Sequence, residues 1–199
     1  MNEQTTKERI LDAAEEIMLE RSFHSVGLKQ ILDMAKVPKG SFYYYFSSKE
    51  QFGVEMLKHY MGEATARKRQ LLSGKDDEPD PLKRLETMLD SGLEAVQSVP
   101  DKFPCLALKL SSEVSDLSDA MRLELAKGFE QWIKLFQEVL EEAKAKKVLD
   151  KTVDSKLESQ LIHDLMTGSI HRAIINRSPE PVRCTVGHLK RRIEKLRLN

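Results

Sequence analysis

Residues 37–52 read VPKGSFYYYFSSKEQF, and the fold turns on whether this run is a strand or a helix. The aromatics Phe42, Tyr43, Tyr44, Tyr45 and Phe46 are good β-formers. The punctuation around them argues for helix instead. Pro38 suits the first turn of a helix, where no backbone N–H is needed. Ser47 and Ser48, followed three positions on by Glu50 and Gln51, give two overlapping capping-box spacings that start another helix near Lys49. A short helix over roughly 38–44 therefore fits between two helix starts. Its spacing turns Phe42 and Phe46 inward, and Tyr43 and Tyr44 outward with Lys39 and Ser41. Hydroxyls, ammonium groups and a bare Gly40 that permits close approach suit a phosphate backbone. The plain alternative is an aromatic core segment flanked by solvated lysines.

Upstream, Thr5 and Glu8 make a capping box for a helix over about 6–21, with Ile10, Leu11, Ala14, Ile17 and Met18 on one stripe. Ser22 to Ser25 breaks that pattern, and Phe23 is placed to plug a small core from the break. Leu28, Ile31, Leu32 and Ala35 form the inner face of a second helix with Lys29 at its start. Helix, turn and short helix together make a helix-turn-helix arrangement. Lys49 opens the helix that follows, at the positive end where ammonium and backbone N–H groups can both hold a phosphate.

Gln30 to Glu50, QILDMAKVPKGSFYYYFSSKE, closely resembles the DNA-binding signature of the TetR family of bacterial transcriptional repressors. The resemblance implies that Lys29, Lys39, Gly40, Ser41, Tyr43, Tyr44 and Lys49 meet operator DNA, most of them at phosphates. Many relatives carry a hydroxyl residue near Gly27, and its absence here is a departure of this sequence from the family pattern.

The 199 residues are 40% hydrophobic and 32% charged, with 9 Gly and 7 Pro, which suits a helical protein with a real core. Formal charge is zero, but its distribution is not even. Lys29, Lys36, Lys39 and Lys49 stand against Asp33 in the helix-turn-helix, so this face is locally basic. Glu8, Asp12, Glu15, Glu16 and Glu20 put the compensating charge on the first helix. The N-terminus has no apolar signal core, and no run approaches the ~18 apolar residues of a membrane span. Cys105 and Cys184 are too far apart to suggest a secreted disulfide framework, so the expected address is a reducing cytoplasm.

Enzyme motifs are missing from the sequence: it shows no glycine-rich phosphate loop, no nucleophile elbow and no zinc pair at the metal-ligand spacing of an enzyme motif. No catalytic residues, cofactor or metal are expected, and His24, His59, His163, His171 and His188 are scattered.

Downstream, a long helix over about 49–72 leads to the loop SGKDDEPDP at 73–81. Apolar spacing then predicts helices around Leu82–Val96, after Pro104, from Ser118 or Asp116 past Trp132, from Asp154 or Ser155 to Ile174, and after Pro181. The expected fold is all-α: a three-helix DNA-binding domain at 1–50 and a helical effector-sensing and dimerisation domain at 51–199.

One helix-turn-helix covers too few base pairs, so two copies reading a palindromic operator are expected. The small run Thr167-Gly168-Ser169 permits close helix approach, and the last helix carries a continuous apolar stripe. Leu165, Gly168, Val186, Leu189 and Ile193 are the dimer candidates, with the chain's own core as the alternative. The family resemblance favours the interface, since these repressors pair through a four-helix bundle of their last two long helices. Trp132, Phe129 and Met166 are candidates to line an effector pocket, with plain core as the alternative.

Cys105 follows Pro104 at a helix start, where N–H groups favour a thiolate, with Lys102 and Lys109 nearby to add positive potential. CLALKLSSEVSDLSDAMR resembles a branch of TetR-family repressors that respond to electrophiles and oxidants through a cysteine at this place, and that often control reductases or detoxification enzymes. The implied partners are double-stranded operator DNA, a second copy of the chain, and a small-molecule or electrophilic inducer, with no membrane. A helical ligand-binding or protein-interaction module without DNA binding is the alternative function.

Overall fold

The computed structural model describes residues 5–74, 78–99 and 104–198. These form α1 (Thr6–Glu20), α2 (Leu28–Ala35), α3 (Lys39–Tyr45), α4 (Lys49–Leu72), α5 (Pro81–Ser98), α6 (Leu106–Val114), α7 (Asp119–Ala145), α8 (Ser155–Asn176) and α9 (Glu180–Leu196). Among the described residues the only β pairing is an isolated bridge between Leu149 and Arg197. No helix among them is long and apolar enough to cross a membrane.

Helix starts follow side-chain chemistry. The Thr5 capping box is complete: its hydroxyl accepts from Glu8 N–H, and the Glu8 carboxylate accepts from Thr5 N–H at 2.8 Å. Ser48 starts α4 by accepting from Gln51 N–H at 3.0 Å. Asp154 starts α8 through Lys156 and Leu157 N–H. The prolines differ from the sequence reading. Pro38 precedes α3 as its N-cap, and Pro81 is the first residue of α5, capped by Asp80, rather than the end of a loop. Pro181 lies inside the first turn of α9, where its missing N–H costs nothing.

The chain divides into two compact units. The first takes in the chain up to Glu63 together with Cys105–Gly128, so it joins the helix-turn-helix to α6 and the start of α7. Its centre is aromatic: Phe42 lies 5.0 Å from Phe46 and 5.3 Å from Phe52, ring centre to ring centre. Ile10, Met18, Phe23, Val26, Ile31, Met56 and Leu57 are buried in the same unit.

The second unit takes in Ala64–Pro104 and Phe129 onward. Its core draws Leu82, Leu85 and Leu89 from α5, Leu135, Phe136 and Val139 from α7, Ile162 from α8, and the inner stripe of α9. That stripe corrects the dimer reading. Val186, Leu189 and Ile193 are 3%, 1% and 4% exposed in the single chain, so they fill its own core and have no surface to offer a partner. A continuous helical stripe is equally demanded by either role, and here the α5–α9 packing consumes it.

Candidate functional site

In the first unit, α3 stands on its own aromatic base. Phe42 is 2% exposed and Phe46 1%, while Tyr43 is 63% and Tyr44 82% exposed. Helical spacing produces this split, because burying Phe42 forces the next two side chains outward. Lys39 and Gly40 are exposed and Ser41 is half-buried. A Cβ added at Gly40 meets nothing within 4 Å, so the space over that position is open to an incoming backbone. Lys29 is exposed at the start of α2, where Gly27 supplies no side-chain cap. The turn before α3 is closed by Val37 N–H donating to Leu32 O at 3.0 Å, with Lys36 in the left-handed region at φ +55°.

Lys49 does something other than expected. Its ammonium donates to the carbonyls of His24 at 3.3 Å and Val26 at 3.2 Å, and lies 5.3 Å from the centre of the Phe23 ring. It holds the α1–α2 loop in place. Arg9 serves α2 in the same way, donating to the carbonyls of Ala35 at 2.5 Å and Lys36 at 3.2 Å. These cations cover backbone carbonyls inside the unit, and Lys29 and Lys39 are left on the outer face.

Cys105 is half-buried at the N-cap of α6, but its side chain does not cap the helix. The Tyr60 hydroxyl donates to Cys105 Sγ at 3.4 Å and accepts from Leu106 N–H at 3.1 Å. One of the N–H groups expected to favour a thiolate, that of Leu106, is therefore spent on Tyr60. Burial, then the neighbouring Cys105, push the Tyr60 phenol far above its ordinary range, so it remains a donor. Lys109 is not beside the sulfur either. Its ammonium donates to Met18 O at 2.7 Å and Arg21 O at 3.0 Å, capping the end of α1. Burial lowers the Lys109 pKa, with Glu113 and Glu20 acting in the opposite direction. Lys102 lies outside the described residues.

Two further bonds tie α6 and the turn after it to the helix-turn-helix. Glu113 accepts from His24 N–H at 3.2 Å, and the Ser118 hydroxyl donates to Glu50 at 2.5 Å. A cleft of about 300 Å³ opens beside these links, lined by Phe23, His24, Lys49, Val114, Leu117 and Met121 among others.

Trp132, Phe129 and Met166 belong to the second unit, apart from Cys105 in the compact division. Trp132 is 5% exposed; its indole N–H donates to Thr65 at 2.9 Å and Lys68 lies over its ring at 4.5 Å. Phe129 contacts Trp132 and His163 at ring distances of 5.5 and 5.3 Å. His163 Nε2 is buried without a hydrogen-bond partner among the described residues. Met166 packs on the core cluster. Of the dimer candidates, Leu165 is 41% exposed and Gly168 has open space where a Cβ would stand. Leu157 and Ile175, at 48% and 79% exposed, extend that outer face of α8.

Tyr60 and the carbonyl-capping role of Lys109 were not visible in the sequence. Nothing in spacing announces that a helix 46 residues further along the chain begins on the Tyr60 hydroxyl.

A family model described as bacterial regulatory proteins, tetR family, matches residues 10–56, and a tetracyclin repressor-like C-terminal domain model matches residues 81–189. The HTH-type transcriptional repressor NemR of Escherichia coli strain K12 is 35% identical over 189 residues, covering 94% of both chains. The repressor DhaR of Mycobacterium sp. strain GP1 is 30% identical, covering 88% of this chain and 86% of its own. The crystal structure of E. coli NemR in its reduced form matches with a TM-score of 0.83 at 33% identity over 98% of each chain. The regulatory protein TetR from Rhodobacter sphaeroides matches at 0.80 and 27% identity, over 94% of this chain and 98% of its own.

Proposed function

The chain belongs to the tetR family of bacterial regulatory proteins, and from that premise we propose that it represses transcription by holding a palindromic operator as a homodimer until Cys105 is modified. It is a DNA-binding transcriptional regulator and not an enzyme, as its family and relatives are. A helical module without DNA binding is thereby set aside. Residues 1–50 serve as the reading head, 51–199 as the sensing and pairing part, and the workplace is the cytoplasm.

The observation that carries the DNA reading is the two-sided α3, aromatic and buried below, with Tyr43, Tyr44 and Lys39 exposed above. Lys29, Lys39, Ser41, Tyr43 and Tyr44 contact phosphates, and Gly40 lets the backbone close on them. Lys49 contributes by fixing the loop before α2. Pairing uses the outer face of α8 around Leu165 and Gly168.

For sensing, the Cys105 sulfur adds to an electrophile, or takes an oxygen atom from a peroxide-class oxidant that is itself reduced, and the thiol proton passes to solvent. Added volume at the sulfur displaces Tyr60 from Leu106 N–H and shifts α6. Lys109, Glu113 and Ser118 then lose their holds on the head. Release requires that the modified protein favour the conformation that does not fit DNA. Trp132, Phe129 and Met166 are a second place for a small molecule to act, with the unsatisfied His163 nitrogen as its polar group.

The test is duplex binding over a salt series. Lys39→Ala is expected to lower affinity and reduce the salt slope by about one. Tyr43→Phe is expected to cost about 1 kcal/mol in binding, roughly fivefold, without changing the melting temperature. Unchanged affinity in both variants would remove α3 from the interface.

A further inference from the structure

We propose that Asp12, His59 and Glu63 bind a divalent transition-metal ion of the zinc class, bracing α1 against α4. One oxygen from each acid and one imidazole nitrogen lie within 4.8 Å of one another. His59 Nε2 stands 2.7 Å from Asp12 Oδ1 and 3.7 Å from Glu63 Oε1. Ligand atoms held about 2.0–2.2 Å from a tetrahedral ion are about 3.3–3.6 Å apart, so only small side-chain adjustments bring these three to it.

The chemistry of the set agrees with its geometry. One imidazole and two carboxylates suit zinc, and two negative charges balance the ion. Three protein ligands leave a fourth position for water. His59 and Glu63 are one helical turn apart on α4, which presents them on the same face, and Asp12 comes from α1. The His59 side chain is 19% exposed, while Asp12 and Glu63 at 44% and 48% leave an approach from solvent. Lys7 pairs with Glu55 at 2.8 Å and Lys58 with the same carboxylate at 3.8 Å. Glu8, one turn before Asp12 on α1, adds to the negative potential. On binding, the ion takes the Nε2 lone pair, and a proton on that nitrogen leaves to solvent. The brace joins two helices of the reading unit, so it sets how rigidly α1 carries the carbonyls that Lys109 caps.

The experiment uses metal-stripped full-length protein, titrated with Zn²⁺ against a chromophoric chelator. Asp12→Asn, His59→Gln and Glu63→Gln are compared with the parent and with a Cys105→Ser/Cys184→Ser variant that removes both thiols. One ion per chain is expected, at unchanged affinity in the thiol-free variant and at least tenfold weaker with His59→Gln. Zn²⁺ should also raise the melting temperature of the parent by roughly several degrees and leave His59→Gln unmoved. Should His59→Gln fail to fold, as read by circular dichroism, the surface-facing Glu63→Gln carries the same comparison. Equal Zn²⁺ affinity in the parent and the ligand variants, or binding that vanishes with the thiols, overturns the proposal.

Discussion

The Lys109 ammonium donates to the Met18 carbonyl at 2.7 Å, so α6 reaches across its unit to close the end of α1. Cys105 lies one helical turn before Lys109, which makes α6 a short lever between the thiol and the head. Cations at a helix C-terminus contribute about 0.3–1 kcal/mol, and up to about 2 when partly buried. Lys109→Met should therefore lower stability by about 1–2 kcal/mol in chemical denaturation and weaken operator binding at the same time. Loss of DNA affinity with stability intact would remove Lys109 from the structural link.

Core and interface are separable on the last two helices. Leu189 is 1% exposed, and Leu189→Ala should cost about 2–5 kcal/mol through the cavity it leaves. Gly168→Leu has room in the single chain and should keep the monomer folded while shifting sedimentation from dimer to monomer. A dimer unaffected by Gly168→Leu and by Leu165→Glu would move the pairing surface elsewhere.

Asp80 joins the start of α5 to the chain beyond α9, through Arg197 at 2.6 Å. Burial alone would raise its pKa, but the Arg197 and Leu82 hydrogen bonds outweigh that and hold it below the ordinary carboxylate range. A depressed carboxyl stabilises the fold fully above its unfolded pKa, near 4, and loses that contribution as pH falls through the folded value. Asp80→Asn keeps a helix cap and loses the ion pair. It should cost about 1–2 kcal/mol at neutral pH and flatten the acid limb of the stability curve below about pH 4.

Lys36 holds φ +55° at the end of α2, a conformation that disfavours a side chain by about 1 kcal/mol. Lys36→Gly should raise the denaturation midpoint by a corresponding amount. A lower midpoint would show that the Lys36 side chain contributes more than its backbone costs.

The helices were legible because their caps and stripes are local. Thr5, Ser48 and Asp154 each start a helix with a bond to a residue two or three positions on. The α3 face was legible for the same reason, since the burial of Phe42 decides where Tyr43 and Tyr44 point. What failed was long-range. Apolar periodicity gives the inner side of α9 but not what covers it, so the sequence left Val186, Leu189 and Ile193 open between interface and core, and in the single chain they pack in its core. The destinations of Lys49 and Lys109 depend on carbonyls 23 to 91 positions away, which no spacing rule reaches. Sequence placed Cys105 at a helix start, yet the partner that meets its sulfur comes from α4.

The most direct measurement is binding to duplex DNA from upstream of the protein's own gene, before and after a thiol-reactive maleimide, with Cys105→Ser alongside. Treatment should release the wild-type protein and leave Cys105→Ser bound. If both remain bound, or both are released alike, Cys105 is not the sensor.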